Sequence, residues 1–220
     1  SKKGAKELEH DFRREIEAFQ PHIIMVSALE STVTFARNLL RLVKDLEIPT
    51  VLGGVFATYA PDLALSYDEI DVVCVGEAED SIVPLVRKIV AGQKLDDIPG
   101  IWTKDRSGNI TKSPIASPYD LNKNPRFDST PFHESRFYRP MHGKVYKMIP
   151  IETHRGCPLK CTFCNSPVQN VMYKEETGES YFRGKSIKTV MADVLHAKNE
   201  LKAEYLFFWA DNFLAYSKNE

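Results

Sequence analysis

Cys157, Cys161 and Cys164 fall within eight residues of one another in the string IETHRGCPLKCTFCNSP. Thiolates bind soft and borderline metal ions, and three on one short loop can hold three irons of a four-iron four-sulfur cluster, leaving the fourth iron open to a substrate. The competing chemistry is a closed zinc tetrahedron made by the same three thiolates with His154, which would make the chain a non-enzymatic zinc-binding interaction module. Structural zinc sites gather their ligands as two separated pairs, and no second pair occurs here. Disulfides fit less well, because three clustered cysteines leave one unpaired and nothing resembles a secretory signal peptide. The fourth cysteine, Cys74, sits in the apolar run DVVCVG, where a buried, inert thiol is expected.

The elements that must position this loop alternate in type. Residues 4–19 carry Leu8, Phe12, Ile16 and Phe19 at helical spacing, stopped by Pro21. Buried strands are expected over 23–26, 50–52 and 71–75, with helices over 34–46, 62–66 and 81–91, the last ended by Gly92. Apolar strands alternating with helices imply a parallel sheet covered on both faces, an α/β fold of partial Rossmann-like type. Ligands of such sheets bind at the carboxyl ends of the strands, where Ser27-Ala28-Leu29, Gly53-Gly54 and Gly76-Glu77 fall. Each has a plainer explanation, Gly-Gly as a tight turn and Ser27 as a helix cap. Residues 101–114 predict a hairpin about Ser-Gly-Asn. A stretch rich in Pro, Asn, Asp and Ser then carries Tyr119, Phe127, Phe132, Phe137 and Tyr138 at irregular spacing, as a linker pinned to a domain surface would. A strand over 146–152 delivers the cysteines at its carboxyl end; a polar loop, a helix from Ser186 and a strand over 205–210 follow, closing on Asp211-Asn212. The expected domains are 1–99, a hairpin and linker over 100–144, and 145–220.

The CxxxCxxC spacing with the aromatic Phe163 before the last cysteine resembles the cluster loop of the radical S-adenosylmethionine (radical SAM) enzymes. The resemblance implies a second domain that opens a (β/α) barrel, a four-iron four-sulfur cluster on Cys157, Cys161 and Cys164, and S-adenosylmethionine chelated by the open iron and cleaved by one electron. It places Phe163, Asp211 and Asn212 against S-adenosylmethionine, although Ala-Asp-Asn stands where Gly-Gly-Glu is commoner; a turn cap is the plainer role. Ser-x-Leu on one strand and Gly-Gly on the next are similar to the later parts of the cobalamin-binding signature, with VCVGEAEDSIVPLV similar to the GE-x-E segment of the same subclass. By that likeness Ser27, Leu29, Gly53, Gly54, Gly76 and Glu77 would lie against cobalamin. The Asp-x-His-x-x-Gly part that supplies a histidine to cobalt is absent, and His22, at the opposite end of its strand, does not replace it. A barrel of that family needs six or more strands. The chain is therefore expected to be a fragment, short of leading strands in its first sheet, weak in cobalamin binding and inactive alone.

Glu152 and Arg155 flank the cysteines, either as charges beside a metal centre or as a salt bridge; Arg183, in YFRGKS, either meets a carboxylate or covers a helix start. A net charge of -1 gives no basic excess for nucleic acid, and no apolar stretch is long enough to span a bilayer. With 43% hydrophobic and 27% charged residues the composition is that of a cytoplasmic protein. The resemblance implies a small-molecule substrate, an electron donor such as a flavodoxin or ferredoxin, and either hydrogen abstraction, methyl transfer or ring rearrangement.

Overall fold

The computed structural model describes residues 4–105 and 107–215. The chain divides into two compact units, Ser1–Tyr119 and Asp120–Glu220. The first runs α1 (Ala5–Phe19), β1 (Ile24–Ser27), α2 (Glu30–Arg41), β2 (Thr50–Gly53), α3 (Gly54–Tyr59), α4 (Pro61–Ser66), β3 (Val72–Cys74), α5 (Ile82–Val90), β4 (Ile101–Lys104) and β5 (Ile110–Lys112). Its sheet has the order β1-β2-β3-β4-β5. The first three strands are parallel, and β4 and β5 join antiparallel. The expected hairpin is therefore present and extends the first sheet.

This is the mixed α/β, Rossmann-like arrangement that the alternating pattern implies. Val51, Val72, Cys74, Leu85, Ile98 and Ile101 form a core on which α5 lies, each fully buried aliphatic side chain contributing roughly 1.5–3 kcal/mol. The apolar stripe of α1 is only partly covered: Phe12 and Ile16 are half-buried, whereas Phe19 is 81% exposed. The helix ends at Gln20 in the left-handed conformation, one residue before the proline.

Cys74 is a core residue, 4% exposed. Burial, with Glu79 nearby, pushes its thiol up to about 11, so at pH 8 only about one molecule in a thousand carries the thiolate. Iodoacetamide at pH 8 should leave Cys74 unmodified in the folded protein and alkylate it in urea, as read by peptide mass spectrometry. Rapid modification without denaturant would contradict its place in the core.

The second unit contains β6 (Tyr138–Met141), β7 (Lys144–Glu152), β8 (His154–Arg155), α6 (Ser166–Thr177), β9 (Arg183–Gly184), α7 (Ile187–Asn199) and β10 (Tyr205–Trp209). β7 and β10 are parallel neighbours, β6 flanks β7 antiparallel, and β8 pairs with β9. Residues from β7 through α7 to β10 thus make a βαβ unit, the repeat from which a (β/α) barrel is built. Phe137, Ile149, Ile151 and Ala197 form its core, with Phe127 packed against them. Phe127, Phe132 and Phe137 stack and abut at 5.9–6.3 Å between ring centroids, so the aromatic-bearing segment is pinned to a surface. Ser186 caps α7, its Oγ accepting from Thr189 N at 3.1 Å. Among the described residues no helix is long and apolar enough to cross a membrane.

Candidate functional site

In the first unit, the parallel register sets Ser27 beside Gly53, so the carboxyl ends of β1 and β2 finish level. Gly54 has φ +86, and a Cβ there would lie 2.6 Å from Ser27 Oγ and 3.0 Å from Ala28 N and O. Only glycine fits. Gly53 differs: its Cβ would meet Cys74 Cβ at 3.9 Å and Val26 O at 4.0 Å, ordinary contacts. Internal packing thus demands glycine at 54 and not at 53, where a bare backbone leaves room for close approach of a ligand.

Thr58 joins the next strand to this edge. Its hydroxyl donates to Gly54 O at 3.0 Å and accepts from Gly76 N at 3.1 Å, tying the end of β2 to the turn after β3. No sequence signal singles out Thr58 except its place four residues after the glycine, one turn along α3. Glu77 is 9% exposed and its carboxylate accepts from Tyr119 N at 2.9 Å; it fastens the strap that follows the hairpin. Ser27 and Leu29 are exposed at the same edge, and Leu29 N donates to Thr32 Oγ1 at 2.9 Å to start α2. His22 is exposed at the opposite end of its strand. Exposed Ser27 and Leu29 beside an uncrowded Gly53 fit a nucleotide-like tail laid along the strand ends.

In the second unit, β7 carries the chain to Glu152, whose carboxylate receives Arg155 Nε at 2.7 Å and Nη2 at 3.2 Å. The two charges flanking the cysteines are therefore spent on a bidentate pair. His154 is 2% exposed. Its Nε2 lies 2.8 Å from the carbonyl oxygen of Asn212, which can only accept, so Nε2 carries the proton and Nδ1 accepts from Thr153 Oγ1 at 3.0 Å. With both ring nitrogens engaged, His154 is not presented to the thiols as a fourth ligand, and the zinc alternative is not favoured. Arg183 donates to Tyr181 O at 2.9 Å and lies over that ring at 5.2 Å.

Gly156 opens the cysteine loop at φ +83, where a Cβ would lie 2.9 Å from Phe182 Cα. Its N–H donates to Asp211 Oδ2 at 2.7 Å, and the carbonyl of Cys157 accepts from Asn170 Nδ2 at 2.7 Å. Cys157 is buried, whereas Cys161 and Cys164 are exposed. Ser166 N, at the start of α6, approaches Cys164 Sγ at 3.5 Å. Phe163 is 93% exposed. Asn212 Oδ1 accepts from Leu214 N at 3.2 Å, a turn-forming role for that side chain.

Three thiols on one loop are the donor set of an iron–sulfur centre, and buried Ser166 Oγ and Asn170 Oδ1 have no partner among the described residues beside it. The chemistry of the donors fits. Their positions are not gathered: among the described residues no three His, Cys, Asp or Glu side chains converge where a metal ion could sit. A cavity of about 580 Å³ between residues 124–127, β7 and α7 contains no cysteine.

Residues 4–86 match the B12 binding domain family. The chain is 26% identical over 208 residues to an uncharacterized methyltransferase, PH0819, of Pyrococcus horikoshii, covering 92% of this chain and 42% of that protein. It is 25% identical over 233 residues to cytidylyl-2-hydroxyethylphosphonate methyltransferase of Streptomyces wedmorensis, with the same coverage of 92% and 42%. The chain therefore spans well under half the length of these relatives. Two solved structures share its fold. OxsB, a cobalamin-dependent S-adenosylmethionine radical enzyme solved with aqua-cobalamin and S-adenosylmethionine, matches with TM-score 0.70 at 20% identity over 96% of this chain and 28% of its own. TsrM, a radical S-adenosylmethionine methyltransferase of Kitasatospora setae solved with tryptophan and a SAM analogue, matches with TM-score 0.66 at 16% identity over 94% and 40%.

Proposed function

We propose that this chain is part of a protein of the cobalamin-binding-domain subclass of the radical SAM superfamily, which cleaves S-adenosylmethionine at an iron–sulfur centre and transfers a methyl group to a small molecule. One observation carries the reading: the three-cysteine loop leaves the carboxyl end of β7, and the parallel neighbour β10 delivers Asp211 onto the first residue of that loop. Chemistry at the carboxyl ends of parallel strands is the rule for such barrels. The methyltransferase names of both sequence relatives support the second half of the proposal.

A four-iron four-sulfur cluster would supply the electron that splits S-adenosylmethionine, and cobalamin would carry the methyl group. The protein's part is ligation and orientation. Cys157, Cys161 and Cys164 would ligate the cluster, and the Ser166 N–H near Cys164 Sγ would offset negative charge on sulfur. Asp211 and Asn212 would hold the methionine end, Asp211 with a second carboxylate oxygen beyond the one that holds Gly156, and Phe163 would lie beside S-adenosylmethionine. Ser27, Leu29, Gly53 and Gly54 would lie along the cobalamin tail, and Gly76 and Glu77 would shape the adjoining edge. The electron comes from a donor of ferredoxin or flavodoxin type.

Anaerobic reconstitution of the full-length protein with ferrous iron and sulfide tests this. The expected product is brown, holds about four irons and four sulfides per chain, and shows an electron paramagnetic resonance signal, once reduced, that changes when S-adenosylmethionine is added. A colourless protein that retains zinc and ignores S-adenosylmethionine would refute the proposal.

A further inference from the structure

The loop that carries the cysteines is held at its root by two ties to the end of β10. Asp211 Oδ2 takes the Gly156 N–H at 2.7 Å, and His154, two residues earlier, reaches the carbonyl of Asn212 at 2.8 Å. The residue three before the first cysteine and the one immediately before it are thus fixed to two successive residues of the neighbouring strand end. Gly156 is pressed against Phe182, where no side chain fits, and the carbonyl of Cys157 is held from α6 by Asn170. The backbone at Cys157 is clamped from three directions, while Cys161 and Cys164 lie on the exposed part of the loop.

We infer that Asp211 is a positioning residue for Cys157, acting through the Gly156 amide, in addition to any contact it makes with S-adenosylmethionine. The inference rests on the reading of this loop as the cluster loop. A carboxylate beside a ligand amine needs its charge; a carboxylate that holds an amide N–H needs only an acceptor oxygen, which asparagine also offers. The two roles therefore separate on substitution. Asp211 is itself exposed, so exchanging it does not open the core.

Hydrogen exchange on the iron-free full-length protein, followed by mass spectrometry of peptides covering 154–160, reads the tie directly. Asp211→Ala should speed exchange at Gly156 by about ten- to a hundredfold, the worth of a charge-assisted hydrogen bond, and after reconstitution should retain under half the iron and sulfide of wild type. Asp211→Asn should keep most of the protection and a wild-type cluster content while binding S-adenosylmethionine more weakly. Wild-type exchange in Asp211→Ala, or exchange in Asp211→Asn as fast as in Asp211→Ala, overturns the positioning role. A wild-type protein that takes up no iron overturns the cluster reading itself and the role with it; a normal cluster in Asp211→Ala overturns the role alone.

Discussion

Cys157→Ala, Cys161→Ala and Cys164→Ala should each abolish retention of iron and sulfide after anaerobic reconstitution, while Cys74→Ala leaves both at the wild-type level. A three-thiolate site has no spare ligand on its loop, and neither His154 nor Cys74 stands ready to replace one. His154 is buried with Nε2 on the Asn212 carbonyl and Nδ1 on Thr153. Cys74 lies in the core of the other unit with its thiol pushed up to about 11. Cys161 and Cys164 are exposed, so their loss disturbs no packing, and unchanged circular dichroism should accompany the missing iron. Full iron content in any of the three variants, or equal loss from Cys74→Ala, would contradict the assignment of ligands.

The alternation of strands and helices in the first unit was legible because each strand is a short apolar run ended by Gly or Ser, and the hairpin because Ser-Gly-Asn interrupts a two-residue period. Several elements were hidden, the two-residue strands β8 and β9 among them, and three of these have clear reasons. α3 begins on Gly54 itself, and a Gly-Gly pair reads as a turn when the residue that crowds it, Ser27, lies far away in sequence. α6 spans SPVQNVMYKEET without an apolar stripe: Val168 and Val171 are more than half exposed and only Tyr173 and Ser166 are buried, so periodicity had nothing to report. β6 contains Pro140, which suits an edge strand paired on one side only.

The site divides along the same line. The cysteines announce themselves by spacing, since the capacity to ligate a metal is written in residue type. Asp211 and His154 could be named as polar residues near the loop, but their partners are a backbone amide and a backbone carbonyl more than fifty residues away. Such partners leave no mark in a sequence. Glu77 illustrates the reverse case, a residue marked by its motif whose carboxylate the fold uses to hold the amide of Tyr119.

Gly54→Val and Gly53→Ala should part company, although the two glycines are neighbours in one motif. At Gly54 a β-branched residue must adopt φ +86, and its Cβ would press on Ser27 Oγ at 2.6 Å and on the Ala28 backbone at 3.0 Å. Backbone strain of roughly 1–3 kcal/mol and an overpacking cost of similar size fall on the same residue. For a unit whose whole stability is of order 5–15 kcal/mol, the first unit should melt roughly 10 °C or more below wild type. Cobalamin binding in the full-length protein should then disappear with the fold of the domain, while the three-cysteine loop, in the other unit, still takes up iron. Gly53→Ala carries no such strain, because its φ of -124 is extended and its new methyl meets only Cys74 and Val26 at 3.9–4.0 Å. It should melt within a degree or two of wild type, and any loss of cobalamin affinity then reports obstruction of the ligand alone. We expect at least a tenfold loss, about 1.4 kcal/mol, the order of cost that overpacking a close contact carries. A Gly54→Val protein that melts like wild type would show that the Ser27 edge yields; unchanged cobalamin affinity in Gly53→Ala would remove that glycine from the site and leave Ser27 and Leu29 to mark it.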